Sequence, residues 1–295
     1  MTTGELLKEA AERAAQARAD ATVWDARLLL AHVLGGVSPL ALDPRQTLEE
    51  PIAARFRSFW ERRISGVPVQ HLIGEWDFYG RTFRVDGRAL VPRPETEVLV
   101  HLALKEAPAA KRLLDAGTGS GIIAITCLLE RPDARAVALD ISLDALALAR
   151  QNAALHGVLP RVALVASDWL TALAPAPFDV IVSNQPYLAL GEAPHLPPTV
   201  RDHDPRRALF AGEDGLSAIR HLLATAAPYL APGGLLAFEI GFGQGEAVRS
   251  EILARPIWRF LKIEPDLEGI PRICLARLES ASERVSRIRK PWTAS

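Results

Sequence analysis

Asp115-Ala116-Gly117-Thr118-Gly119-Ser120-Gly121 follows the apolar run RLLDA and leads into the apolar run GIIAITCLLE. A strand, a glycine-rich turn and a helix in that succession bring backbone close to a ligand at the edge of a sheet. Glycine suits the turn because a Cβ would hold the ligand away and because other residues resist the φ values required. A nucleoside cofactor follows. A dinucleotide fingerprint, G-x-G-x-x-G, would need a glycine where Ile122 stands, and Asp115 places an anion just before the turn. Pyrophosphate at a helix N-terminus avoids such an anion, whereas the ammonium of a methionine moiety welcomes it. The turn therefore favours S-adenosylmethionine, with Gly117, Thr118, Gly119, Ser120 and Gly121 as cofactor loop. Asp115 either orders that loop or helps bind the amino-acid end.

Outward from the turn, strand-like and helix-like segments alternate: ARAVALD, SLDALALARQNAALHG, RVALVASD and FDVIVSN. Such alternation predicts an α/β fold, a parallel sheet with covering helices. It continues with a helix near Leu216 to Tyr229, a strand LLAFEI, a helix from about Gly245 to Leu253, and strands around Phe260 and Ile273 that can pair antiparallel at the sheet edge. Asp140, with Ile141 beside it, ends the second strand about 20 residues past the turn, where an acid can accept both ribose hydroxyls. Capping of the helix that begins at Ser142 is its plainer use. After the third strand, Asp168 can bond an adenine amino group while Trp169 packs on the ring; a core role for Trp169 stands beside this.

From Thr3 to about Arg63 the pattern is helical, with Leu28, Leu29, Ala31, His32 and Val33 on stripes, Gly35-Gly36 ending one helix, and Pro39, Pro44 and Pro51 as punctuation. Between Gly66 and Pro94 short β-type runs predict a hairpin, whose Trp76, Phe78, Tyr79 and Phe83 can pack two domains together. The expected division is 1–73 helical, 74–92 hairpin linker, 93–280 α/β, and 281–295 a basic, flexible tail.

Composition narrows the function classes. Of 295 residues, 49% are hydrophobic and 23% charged, as in a soluble globular protein. A net charge of -1 argues against a broad nucleic-acid-binding field. Cys127 and Cys274 lie far apart in apolar runs, and His195 and His203 lack ligand spacing, so neither a disulfide framework nor a metal site is indicated. The polar, helical N-terminus does not look like a secretory signal, and no apolar run approaches the ~20 residues of a membrane span. A cytoplasmic monomer without membrane or stable nucleic-acid partners is expected.

After the fourth strand comes Asn184-Gln185-Pro186-Tyr187. It resembles the N-P-P-Y tetrapeptide of methyltransferases acting on amide or exocyclic amino nitrogens, with Gln185 where that family has proline. The resemblance to the release-factor glutamine N5-methyltransferase family extends over nearly the whole chain: ARLLLAHVLG, GVPVQHLIGEWDFYG, LVPRPETEVLV, DAGTGSGIIAI, ALDIS, SDWL, NQPY and FAGEDGL. Departures are His71, where tyrosine is expected, and Asp204-Pro205, where glutamate usually precedes the proline. The resemblance implies a Rossmann-like class I methyltransferase sheet of seven strands behind a small helical domain that grips a class 1 peptide chain release factor. It implies that the glutamine of a Gly-Gly-Gln loop enters at Asn184, that the Asn184 side-chain oxygen and the Gln185 carbonyl accept its N–H bonds, and that Tyr187 packs on the amide.

Gln185 keeps that carbonyl but adds an N–H and loses proline's fixed φ. Three outcomes stand open: a tolerated variant, a disturbed pocket, or a Gln185 side chain occupying the amide slot. Rival functions are glutamine methylation of a ribosomal protein, adenine N6-methylation, and a cofactor- or release-factor-binding module disabled by Gln185. Leu188 to Gly212, long and proline-rich, is a candidate lid. Glu95 and Glu97 read as helix N-terminal acids, and Glu239 as an unremarkable strand end.

Overall fold

The computed structural model describes residues 1–280; the basic tail expected at 281–295 lies outside them. The N-terminal part packs three helices, α1 (Thr3–Ala17), α2 (Val23–Val33) and α3 (Glu50–Ile64), with a short α4 (Val69–Ile73). Sequence sets their ends. Thr2 with Glu5 and Thr22 with Asp25 form capping boxes on α1 and α2, Pro51 sits in the first turn of α3, and α2 runs out at Leu34, just before Gly35 and Gly36, both at positive φ. Their apolar faces, including Leu6, Leu29, Leu30, Phe56 and Trp60, share one core. Inside it Trp60 Nε1 donates to the Ala10 carbonyl at 2.9 Å, and buried Arg63 is neutralised by Asp20 and Asp25 at 3.0 Å each.

The stretch 66–94 is not wholly extended. α4 precedes the hairpin strands β1 (Glu75–Phe78) and β2 (Arg81–Arg84), because Pro68 at its N-cap and Gly74 in the left-handed region at its C-cap bracket a single helical turn. The hairpin turns at Tyr79-Gly80, both with positive φ. Its aromatics divide between two cores as expected: Trp76 packs on the helical cluster, while Phe78 and Phe83 are buried in the core of the α/β part.

Helix α5 (Pro94–Glu106) opens the α/β part. It is followed by β3 (Arg112–Ala116), α6 (Ile122–Glu130), β4 (Arg135–Asp140), α7 (Leu143–Leu155), β5 (Val162–Ala166) and β6 (Phe178–Ser183). Two short helices, α8 (Pro198–Arg201) and α9 (Arg206–Leu209), then lead to α10 (Ser217–Thr225), β7 (Leu230–Glu239), α11 (Gly245–Leu253), β8 (Trp258–Pro265) and β9 (Pro271–Leu278). The helix expected to reach Tyr229 breaks at Thr225, and a 3-10 turn carrying Pro228 completes the path.

The seven-stranded sheet has the order β5-β4-β3-β6-β7-β9-β8, parallel except for β9, which runs antiparallel to both β7 and β8. The order reverses between β3 and β6, so the turns after these two strands lie side by side at the carboxyl end of the sheet, where open α/β folds bind ligands. Ser183 Oγ donates to the Ala116 carbonyl at 2.6 Å and ties those two strand ends together. Among the described residues no helix is long and apolar enough to cross a membrane. Phe83, fully buried where the hairpin meets the α/β core, should cost about 3–5 kcal/mol when changed to alanine, read as a lowered urea midpoint with an unchanged denaturant slope.

Candidate active site

A cleft of about 500 Å³ opens at the β3/β6 reversal. Of the residues singled out in the sequence, Gly117, Gly119, Asp140, Ile141, Asp168, Trp169, Asn184, Gln185 and Pro186 line it. Asp115, Thr118, Ser120, Gly121 and Tyr187 do not; they stand behind its wall.

Asp115 is fully buried. Its Oδ2 accepts from Thr118 Oγ1 at 2.7 Å and from the Ala124 amide at 3.2 Å, so of its two expected uses the geometry matches the ordering of the loop. Its Oδ1 has no partner, and burial pushes the carboxyl pKa up to about 7. Gly121 ends the turn at φ +83, and a Cβ there would lie 2.9 Å from Ile125 Cδ1 and 3.0 Å from Ala149 Cβ. This glycine serves close packing of α6 against α7 as much as the turn.

The loop amides are largely spent inside the protein. Gly117 and Thr118 donate to the Leu139 carbonyl at 2.9 and 2.7 Å, and Gly121 to the Thr118 carbonyl at 2.9 Å. Gly119 donates to Asp140 Oδ2 at 2.9 Å. A pyrophosphate needs such amides free, so this turn is poorly equipped for a dinucleotide. Asp140 Oδ1 meanwhile accepts from the Ser142 amide at 2.8 Å, while Ser142 itself caps α7. Each oxygen of Asp140 has one lone pair so occupied and another available.

Asp168 is exposed, and Trp169 at φ 52 packs on His221 with ring centroids 4.9 Å apart. The indole also touches the buried cluster on that face of the sheet, so it both lines the cleft and covers core. Part of the opposite wall, Gly87 to Leu90, follows the hairpin. Its position depends on a residue that the sequence did not single out. Asn152 on α7 is buried, accepts the Arg84 amide at 2.9 Å, and donates Nδ2 to the carbonyls of Arg84 and Ser120 at 3.1 and 2.9 Å. One side chain thereby sets the hairpin against the glycine turn.

At the far end Asn184 Nδ2 donates to Thr96 Oγ1, 3.1 Å away on α5. The Gln185 side chain turns inward: it is 2% exposed, and its Nε2 donates to the Glu239 carbonyl at 2.7 Å. Its amide is therefore committed to β7 and not to Asn184. Tyr187 lies against Gly241, its carbonyl accepts from Gln244 Nε2 at 2.8 Å, and burial pushes its phenol up to about 12. Gly215 of FAGEDGL, at φ +72, supports this bend; a Cβ there would run into the Tyr187 carbonyl.

The Leu188–Gly212 segment is closed at its base by Leu188 to Leu209, Ala211 to Leu188 and Leu190 to Gly212 backbone bonds of 2.8–3.0 Å. Pro205, Arg207 and Ala208 line the cleft, and Thr199 Oγ1 reaches Asp20 of the helical part at 3.3 Å. Buried Asp204 pairs with Arg93 at 3.0 Å, so this departure from the family pattern fastens the segment to the start of α5. Glu97 also has a use beyond the helix end: its Oε1 accepts the Tyr79 amide of the hairpin turn at 2.7 Å. Thr96, not singled out in the sequence, and Glu239, read there as a plain strand end, lie directly behind Asn184 and Gln185. The pattern of a strand end or a helix first turn carries no sign of which side chain faces a neighbouring loop.

Residues 94–195 match the family described as Methyltransferase small domain, and residues 5–74 match the PrmC N-terminal domain. The release factor glutamine methyltransferase of Cereibacter sphaeroides is 44% identical over 288 residues, covering 95% of this chain and 100% of the relative. The chain belongs to the release factor glutamine methyltransferase family. The family protein of Deinococcus radiodurans is 42% identical, covering 94% of this chain and 99% of its own. Among solved structures, the catalytic domain of hMettl16 in complex with a MAT2A 3'UTR hairpin has a TM-score of 0.54 at 14% identity, covering 81% of this chain and 85% of that one; it shares the methyltransferase fold.

Burial of Asp115 gives this family member a pH signature. Its folded pKa lies above the usual carboxylate value, so the folded state holds a proton that the unfolded chain has released, and stability is lost as pH rises from the ordinary carboxylate range through about 7. Asp115→Asn removes the titration. Between pH 5 and pH 8 the variant should lose roughly 2 kcal/mol less unfolding free energy than the parent in urea; parallel pH profiles would contradict the burial argument. Glu239, raised for the same first reason, titrates in both proteins and cancels in the comparison.

Proposed function

We propose that this chain transfers a methyl group from S-adenosylmethionine to the side-chain nitrogen (N5) of the glutamine in the Gly-Gly-Gln motif of a class 1 peptide chain release factor. One observation carries the reading. Asn184 lines the same cleft as the glycine turn and Asp140, with its Nδ2 tied back to Thr96 and its Oδ1 left to accept. Full-length similarity to release factor glutamine methyltransferases supports the substrate class.

The cofactor fits the residues at hand. Gly117 and Gly119 present backbone without side chains, Asp140 offers its remaining lone pairs to the ribose hydroxyls, and Asp168 and Trp169 flank the adenine. Ile141, 54% exposed beside Asp140, gives the nucleoside an apolar contact. Asp115, Thr118, Ser120 and Gly121 hold the turn in shape from behind. When bound, S-adenosylmethionine supplies an activated methyl group on a sulfonium.

What remains for the protein is positioning. An amide nitrogen delocalises its lone pair into the carbonyl and is a poor nucleophile, so it must be held by acceptors. Asn184 Oδ1 takes one N–H and the Gln185 carbonyl takes the other; neither accepts a bond from within the described protein. Pro186 shapes the wall beside them, and Tyr187 supports the bend from behind. Holding the nitrogen in line with the methyl carbon accounts for most of the rate, and the proton leaves to solvent after transfer. The helical part, residues 1–73, docks the release factor, with the hairpin 74–92 linking it to the catalytic part 93–280. The cytoplasm is the compartment this substrate implies.

Gln185 is read as a tolerated variant. Its bond to the Glu239 carbonyl anchors the bend that proline would otherwise stiffen. With labelled S-adenosylmethionine and purified release factor, label should reach the wild-type factor and not one whose Gly-Gly-Gln glutamine is alanine; equal labelling of both would sink the substrate assignment. Asn184→Ala should lower kcat/KM by about 100-fold or more. Gln185→Pro is expected to stay within about threefold of the parent and Gln185→Ala to fall about tenfold, the loss of one buried hydrogen bond; a large gain in Gln185→Pro would instead mark this chain as an impaired enzyme.

A further inference from the structure

Asn184 Oδ1 and the Gln185 carbonyl sit on a bend, residues 184–187, that has no regular secondary structure of its own. In a strand or helix the hydrogen-bond ladder fixes each carbonyl's direction, whereas a bend must be held by bonds from outside it. Pro186 fixes one φ, but Gln185, standing where the family has proline, leaves the preceding φ unfixed. At its near end the bend is held by β6, where Ser183 pairs with Phe238, and by Gln185 Nε2 donating to the Glu239 carbonyl at 2.7 Å. At its far end one side chain from another loop holds it. Gln244 Nε2 donates to the Tyr187 carbonyl at 2.8 Å and to the Gly215 carbonyl at 3.3 Å, while Gln244 Oε1 accepts the Gly241 amide at 2.8 Å. Both Nε2 hydrogens are therefore used, and the bond made by the oxygen decides that the nitrogen faces the two carbonyls.

Two of the segments joined in this way make room with a glycine. A Cβ at Gly215 would run into the Tyr187 carbonyl and lie 2.8 Å from Gln244 Nε2, and one at Gly241 would lie 3.0 Å from Gln244 Cδ and 3.2 Å from Tyr187 Cδ2. Helix capping does not account for Gln244. It occupies the N-cap position of α11, yet its side chain makes no capping bond and turns back to Gly241 instead. It does not line the cleft either, so any effect on the chemistry passes through the bend. We infer that Gln244 is a positioning residue that clamps the bend to the loop after β7 and to the FAGEDGL segment, and so aims the Gln185 carbonyl and Asn184 Oδ1. This rests on the reading of those two groups as the acceptors of the substrate nitrogen. The clamp needs a neutral amide, because it accepts once and donates twice; a carboxylate of the same shape only accepts.

Two readouts on the full chain test it. In kinetics with S-adenosylmethionine and release factor, Gln244→Ala should lower kcat about tenfold, the range expected when a buried carbonyl loses its partner. Gln244→Glu, isosteric but with oxygens facing two carbonyls, should lower it at least as far. In both variants S-adenosylhomocysteine affinity should change less than about twofold, which reports an intact cofactor site. In an Asn184→Ala background the further loss from Gln244→Ala should shrink to about threefold or less, because one of the two groups it aims is gone. Without any release factor, protein carrying 15N-glutamine should show a slowly exchanging Gln185 side-chain amide, assigned by its absence in Gln185→Ala. That signal should exchange at least about tenfold faster in Gln244→Ala and in Gln244→Glu, as the bend loosens. Parent-like kcat and exchange in Gln244→Glu would overturn the clamp, as would losses that simply multiply in the double variant. If exchange follows the expected pattern while the parent methylates no release factor, the substrate reading fails and the clamp on the bend stands.

Discussion

The reversal of strand order between β3 and β6 is the constraint on which the site depends. Two adjacent parallel strands whose crossovers leave in opposite directions cannot both be covered at their carboxyl ends, and the gap between the departing chains becomes a cleft. One chain leaves as the glycine turn, the other as Asn184 to Tyr187, and Ser183 joins the two strand ends through the Ala116 carbonyl. Cofactor loop and amide site are thus neighbours through backbone pairing, although they are far apart along the chain.

Around that gap the protein places its buried polar groups at the joints. Asp115 holds the turn to the start of α6 through Thr118 and Ala124. Asn152 holds the turn to the hairpin, and Arg93 with Asp204 fastens the start of α5 to the segment that forms part of the cleft rim. Each of these groups costs desolvation and returns geometry, because a hydrogen bond fixes direction where apolar contact does not. The unpartnered oxygens of Asp115, Gln185 and Glu239 gather at the same joints. Strain and unsatisfied polarity concentrated at a site are the expected sign of a structure shaped for something other than stability.

The hairpin packs against both cores. Trp76 belongs to the helical cluster and Phe78 and Phe83 to the α/β cluster, while Glu97 accepts the amide at the turn between the hairpin strands. A substrate gripped by the helical part would therefore be registered against a cleft whose wall, Gly87 to Leu90, continues from the same hairpin.

The sequence by itself determined the order and kind of the elements. Alternating apolar runs and proline and glycine punctuation are local signals, and α11 falls on the span read from the sequence. It also pointed to Gly117, Gly119, Asp140 and Asn184, since residue type at a strand's carboxyl end carries chemistry. Tertiary structure alone decided which members of a motif face the cleft and which stand behind it: Tyr187, Thr118 and Ser120 turn away, and the Gln185 side chain goes to β7. It alone brought Thr96, Asn152 and Glu239 to the site, from two helices and a strand remote in sequence. The physical reason is that a side chain's direction at a loop is fixed by hydrogen bonds to distant backbone and side chains, and those partners have no spacing along the chain to be read.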